Sequence, residues 1–402
     1  MSRLPNQLQP IWPLVKRLHR LASFLLGVLS RGVAPLIGSR GLPHGAGLTS
    51  AETAAAEPAY VRLHPGGAGE QLRRASAVGT PARHWVFEAG REYDVPDRFV
   101  LEINDGIVVG DYGANLTPGG LLDYETSEYF GITDWREHPI FLRTRLPPVE
   151  HVDGTVVSLA VRGGASNYYH FLLDVLPRWG IYSETFPEQA PDAVYVPAGT
   201  ERQRQMLDMA GLDKVRIIES LKHSAVRADR LMVPSMPNLG ESAPPWTTRW
   251  LQERFPAQDV ASRPRRLYIT RGDRPNSRRL VNEAELWPLL ERRGFVRVDP
   301  GTMSVQDQID HFAAAEVIVA VHGAALTNLV FSRPGVRVLE MFTPTYVNRT
   351  FWAITDNIAD SRYRYLIAEG QGPRAGGRMN RIQADVTIAP AAFDAALDDL
   401  LA

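Results

Sequence analysis

The chain has 402 residues, with 44 Lys or Arg against 45 Asp or Glu, a net charge of -1, and 44% apolar and 22% charged residues. That length predicts two or three domains with substantial cores, and the balanced charge excludes a dedicated nucleic-acid binder or a disordered polyelectrolyte. Cysteine is absent, which removes disulfides, thiol nucleophiles and cysteine-ligated zinc or iron–sulfur sites. At the start of the chain, Lys16, Arg17, His19 and Arg20 precede an apolar run from Leu21 to Leu29. The run is shorter than the roughly 20 residues that span a bilayer. Its basic flank fits a helix lying on an anionic membrane surface, with residues 11–37 as the contact; a frayed or self-packed N-terminal helix is the alternative. The location expected is the cytoplasm, peripheral at the inner face of the membrane. Residues 38–69 are rich in Gly, Ala and Pro and read as a linker.

A first domain is expected over 70–240. It begins with short strands, of which Phe99–Val109 is one, and turns at Asp105-Gly106 and Pro118-Gly119-Gly120. A helix from Ser166 is expected to end or kink at Pro177, because proline cannot donate to the carbonyl of Leu173. Strands follow at Ala193–Val196, Val215–Ile218 and Arg230–Val233, with a helix at Glu201–Ala210. The Pro/Gly-rich stretch Pro234–Pro245 reads as a hinge. A second domain, 241–388, alternates strands and helices. The strands are Arg266–Thr270, Phe295–Val298, Val317–Val321 and Val336–Met341. The helices are Asn282–Arg293, with Asn282 as its cap, then Ser304–Ala314, capped by Ser304, and Ala324–Phe331. Such alternation implies a parallel sheet. A last helix, in 389–402, is expected to pack across a neighbouring domain.

Four constellations carry chemistry. In Val321-His322-Gly323-Ala324-Ala325-Leu326-Thr327-Asn328 a strand meets a glycine and then a helix of small residues. That puts free N–H groups, the helix dipole and the His322 imidazole at the ligand crevice of a doubly wound sheet, where an anion such as a diphosphate binds. Close helix–sheet packing would select the same small residues. Arg271, Arg274, Arg278 and Arg279 cluster after the Arg266–Thr270 strand, where their guanidinium forks suit phosphate or simply make a solvated basic loop. Glu340 ends a strand, where a carboxylate accepts ribose hydroxyls or pairs with a loop arginine. In Asn167–Arg178, His170 and Asp174 stand four apart on one helix face among apolar neighbours, either a structural pair or a general base. No Asp-x-Asp pair and no metal-spaced cluster occurs in the sequence, so no metal and no cofactor is expected. No Gly-x-Gly-x-x-Gly follows a strand, which argues against a dehydrogenase.

Taken in order, Asn167–Arg178, Tyr268–Arg271, Arg278–Glu285, Gly294-Phe295, Ser304–Phe312 with Gln308, Val321–Asn328, Pro334-Gly335 and Glu340 resemble glycosyltransferase family 61, in its bacterial capsular polysaccharide biosynthesis type. The resemblance covers roughly Asn167 to Met341. It implies an α/β, GT-B-like architecture, with two Rossmann-like domains facing across a cleft and a parallel sheet in the C-terminal one. It implies inverting, metal-independent transfer from a nucleotide sugar, usually a UDP-sugar, to a glycan or lipid-linked glycan acceptor. Donor contacts are then expected from Arg271, Arg278, His322, Gly323, Ala324, Thr327, Asn328 and Glu340. Asn167, Tyr169 and Arg178 would line the acceptor side, and Asp174, or His170 oriented by Asp174, would be the base. A non-catalytic nucleotide-sugar or glycan binder on a degenerate transferase fold is the alternative.

Overall fold

The computed structural model describes residues 41–132, 134–272, 278–369, 382 and 384–402, together with residues 14, 15, 17, 18, 21, 22, 25, 29 and 36. The chain divides into two units, one of Met1–Gly69 with Pro96–Pro237 and one of Glu70–Val95 with Asn238–Ala402.

The first unit is built on a nine-stranded mixed sheet. Four of its strands are mutually parallel, in the order Ala225–Pro234, Val149–Ser158, Ala193–Val196 and Arg216–Glu219. Helical segments link the last three of these, Tyr168–Thr185 leading from Val149–Ser158 to Ala193–Val196 and Glu201–Leu207 leading from Ala193–Val196 toward Arg216–Glu219. This part alone is a parallel α/β arrangement. Beyond it the sheet continues through antiparallel pairings to Arg98–Val109, Ala114–Leu116 and Leu121–Asp123. The three longest strands share an irregularity at one level: Asp105 has φ 56°, Gly154 has φ 87°, and the register slips between Ala228 and Arg230. A β-bulge of this kind bends a strand and sharpens its twist, so Asp105-Gly106 kinks a continuous strand rather than ending one.

Residues 45–67 are not a linker. They form the strand Gly45–Gly47, the helix Ser50–Ala56 and the strand Val61–Gly67. Their small side chains reflect close packing around a buried carboxylate. Asp123 accepts hydrogen bonds from the Ser50 and Thr53 hydroxyls at 3.0 and 2.6 Å, and a Cβ on Gly47 would lie 2.2 Å from Thr53 Oγ1.

The second unit holds a six-stranded, fully parallel sheet. Its order is Val296–Val298, Arg266–Ile269, Val317–Val321, Arg337–Phe342, Arg362–Ile367, Val78–Thr80. Residues 70–95 therefore belong here, not with the residues up to 240. The helix Pro390–Leu401 also belongs here, because Phe393, Leu397 and Leu400 share one buried cluster with Leu286, Leu290 and Leu339. Counted along the chain, the five strands from Arg266 onward lie in the order 2-1-3-4-5, the doubly wound order whose ligand crevice opens between strands 1 and 3. Those two strands are Arg266–Ile269 and Val317–Val321.

Candidate active site

Both switch-point strands hand their next residues to this crevice. Arg271 follows the first and His322 the second, and Arg271 Nη1 donates to the His322 carbonyl oxygen at 3.3 Å. Arg278 Nε donates to the same oxygen at 2.9 Å, and its Nη1 donates to the carbonyl of Ile382 at 3.0 Å. Arg278 sits in the left-handed region, φ 55°, where a non-glycine residue costs about 1–3 kcal/mol. The two carbonyl bonds hold it there. Burial lowers its pKa, partly offset by Tyr346 and Glu340. Arg274 lies outside the described residues.

Gly323 has a steric reason to be glycine. A Cβ there would lie 1.5 Å from Arg271 Nη1. The segment Ala324–Phe331 winds as a 3₁₀ helix rather than an α-helix. Ala324 and Ala325 keep partial exposure at its start. Thr327 and Asn328 face inward with no exposed surface. The Thr327 hydroxyl donates to Ala324 O at 2.7 Å, and Asn328 Nδ2 donates to Gln308 Oε1 at 3.0 Å and Ala325 O at 3.1 Å. Both residues shape the turn and are not placed to touch a ligand.

Glu340 is likewise no ribose acceptor. It is fully buried, with Oε1 2.5 Å from His322 Nδ1 and Oε2 accepting the Tyr363 hydroxyl. Burial pushes its carboxyl up to about 8, against the opposing pull of Tyr363 and Arg278. Burial, then Arg278 and Arg271, push the His322 imidazole well below its ordinary value.

In the first unit the helix Tyr168–Thr185 continues past Pro177. Residues Phe171–Val175 form a π-helical turn, in which Leu176 N–H donates to Phe171 O. A π turn absorbs the donor that proline lacks, so the helix neither ends nor breaks. Asn167 caps it by accepting Tyr169 N–H at 3.0 Å. His170 Nδ1 lies 2.6 Å from Asp174 Oδ2. Tyr169 is buried, edge-on to His170 at 5.3 Å. Arg178 is no acceptor contact. It is fully buried, with Nε donating to Pro234 O at 2.9 Å and Nη1 to Ala160 O at 3.1 Å, and burial brings its guanidinium down to about 9.

Four further residues lie around this His–Asp pair, none of them evident from sequence spacing. Phe130 stacks on His170, centroids 4.9 Å apart and planes at 19°, yet stays 44% exposed. The Arg162 guanidinium lies 4.1 Å from the Phe130 ring centre and 3.9 Å from that of Tyr129. Glu128 has its pKa raised, by burial first and by Asp174 second. A second cluster was also hidden by sequence distance: His151, Asp153 and Asp229, exposed at the strand irregularity and already paired at 3.1 and 3.3 Å.

The chain thus has a switch-point crevice where Arg271, Arg278 and His322 meet, and a partnered His–Asp helix; comparison with known families gives the class: it carries a glycosyltransferase domain. The family model that matches is glycosyltransferase 61, over residues 168–339, so that this stretch is a glycosyltransferase family 61 domain. The match starts at the first residue of the His170–Asp174 helix and ends one residue before Glu340. No curated protein matches the chain.

Proposed function

We propose that this enzyme is an inverting GT-B transferase that moves a sugar from a UDP-sugar to a glycan or lipid-linked glycan acceptor, in capsular or other surface polysaccharide synthesis. The observation that carries the donor assignment is the meeting of Arg271, Arg278 and His322 at the 2-1-3-4-5 switch point. Two guanidiniums, one imidazole and the first amides of the Ala324–Phe331 helix stabilise charge growing on the leaving UDP. These groups supply the counter-charge without a cation, and Glu340, the carboxyl that meets His322 among the described residues, is buried and engaged. That supports a metal-independent reaction.

Inversion needs a base opposite the leaving group. His170, oriented by the 2.6 Å contact of its Nδ1 with Asp174 Oδ2, takes the acceptor hydroxyl proton, with Asp174 itself as the other choice. Arg271→Ala is expected to weaken UDP binding in calorimetry by at least tenfold, on the scale of charge-assisted hydrogen bonds. Asp174→Asn and His170→Ala are expected to abolish transfer with UDP binding intact. Near-normal turnover in both would remove the base assignment.

Peripheral membrane contact fits the N-terminal residues. Leu14, Leu18, Leu21, Leu25 and Leu29 are helical and between 53% and 67% exposed. Their spacing of three and four places them on one face. No helix among the described residues is long and apolar enough to cross a membrane.

A further inference from the structure

His322 is tied down at its buried end more firmly than nucleotide binding alone requires. Its ring is held by Phe342, Tyr346 and Phe351, with centroids 5.1, 5.3 and 5.1 Å away. A ring packed this way cannot turn over. Nδ1 therefore stays with Glu340, and Nε2, without a hydrogen-bond partner among the described residues, is left for a ligand.

A neutral imidazole carries one N–H. With Glu340 ionised, that hydrogen sits on Nδ1 and donates to the carboxylate. Nε2 is then a bare lone pair, which repels a phosphate oxygen. With one more proton on the pair, the Glu340 carboxyl donates to Nδ1 and the imidazole hydrogen sits on Nε2, pointing at the ligand. The imidazolium–carboxylate form differs only in where that proton lies along the Nδ1–Oε1 bond. A single proton thus decides whether the crevice offers a donor or an acceptor.

We propose that Glu340, steadied by Tyr363, is a positioning residue that fixes the hydrogen on His322 Nε2 and makes binding of the nucleoside diphosphate proton-coupled, with one proton taken up whenever the ligand meets the ionised pair. The inference rests on the donor-site reading above. Among the described residues, the charged and titratable groups facing the pair are Arg271 and Arg278 after the first strand, Tyr346 after the Arg337–Phe342 strand, and Tyr363 on the next strand. With Glu340 raised to about 8 and His322 lowered, the pair holds its proton at neutral pH. Anion binding needs that proton, so affinity is complete below about pH 8 and is lost above it.

The test is UDP calorimetry on the full chain from about pH 7 to about pH 9.5, in buffers of different ionisation enthalpy. The wild type is expected to lose roughly tenfold in affinity per pH unit above about 8, with one proton taken up. In Glu340→Gln the carboxamide N–H donates to Nδ1 and its oxygen accepts the Tyr363 hydroxyl, so Nε2 keeps its hydrogen. That variant is expected to lack both the fall and the proton uptake. Ionisation of the uracil is common to both proteins and cancels in the comparison. Tyr363→Phe removes a bond that lowers Glu340 and should move the fall to higher pH. Parallel pH profiles for the wild type and Glu340→Gln would overturn the inference. Nitrogen-15 NMR of His322 in the nucleotide-free protein reads the proton directly, and an Nε2 still protonated above about pH 9 would overturn it too. If folded wild type binds no UDP at neutral pH, the donor-site reading fails instead, and the NMR result still decides where the proton sits.

Discussion

Gly323 stands in extended backbone, φ 171°, which any residue adopts, so its identity is set by what lies above it. That neighbour is Arg271, whose Nη1 and Cζ would be 1.5 and 2.7 Å from an added Cβ. Gly323→Ala must therefore displace the guanidinium while leaving the core untouched. UDP affinity is expected to fall by about tenfold to a hundredfold, the scale of one or two charge-assisted hydrogen bonds, with an almost unchanged melting temperature. Calorimetry beside a thermal melt checks this, and unchanged UDP affinity would break the link between the glycine and the arginine. Phe130 makes the complementary prediction in the first unit. A half-exposed ring stacked on His170 offers its free surface to the apolar face of a sugar. Phe130→Ala is expected to raise the acceptor KM by roughly tenfold, the scale of one aromatic contact, with UDP binding unaltered. How much of the site was legible in the sequence follows from the same residues. Arg271, His322 and Gly323 were visible because strand ends are marked by apolar runs that stop. Phe130 was not, because it lies forty positions from the histidine it covers. Glu340 was visible as a strand-end carboxylate but misread. Its partner Tyr363 lies on the next strand, and only their pairing shows that both oxygens are taken.

Elements were legible where local chemistry decides them. The Val317–Val321 strand is a continuous apolar run closed by His322-Gly323. Ser304 caps its helix as its sequence signature requires, accepting Asp307 N–H at 3.0 Å. Asn282 does not cap. Its carboxamide pairs with the backbone of Ile388, accepting at 3.2 Å and donating at 2.8 Å, a partner 106 positions away that no local pattern contains. The helix Tyr168–Thr185 shows the same division: Pro177 announces a disturbance, but only packing decides between a break and a π turn. Arg178, one residue on, makes that helix a tether. Its fully buried guanidinium binds the carbonyls of Pro234 and Ala160 at the ends of two parallel strands, and it is close enough for Asp123 and Asp174 to act on it. Arg178→Met removes the guanidinium donor from both carbonyls. A loss of about 3–5 kcal/mol is expected in denaturant unfolding. A cost under about 1 kcal/mol would mean that the guanidinium is not the tether described.

At the scale of the molecule, each unit has its own sheet and its own buried clusters, although the chain passes between them at Gly69, Val95 and Pro237. Neither the return of residues 70–95 to the second unit nor the docking of Pro390–Leu401 on that unit could be read from composition. The strand Val78–Thr80 is three residues long, and its place beside Arg362–Ile367 depends on a partner nearly three hundred positions away. Separate cores predict separable stability. Phe393 is fully buried in the cluster of the second unit, so Phe393→Ala is expected to cost about 3–5 kcal/mol there and nothing in the first. UDP at about a hundred times its dissociation constant should stabilise the same unit by about 2.7 kcal/mol. Scanning calorimetry should then show two transitions, with the one lowered by Phe393→Ala being the one raised by UDP. The two changes touch different parts of one sheet: the proposed nucleotide site is at the carboxyl ends of its strands, and Phe393 lies in the apolar cluster packed against it. Their convergence on one transition would tie the nucleotide to the second unit without reference to activity. If UDP instead raised the transition that Phe393→Ala leaves alone, the donor would belong to the unit that holds His170, and the assignment of the two units to donor and acceptor would have to be exchanged.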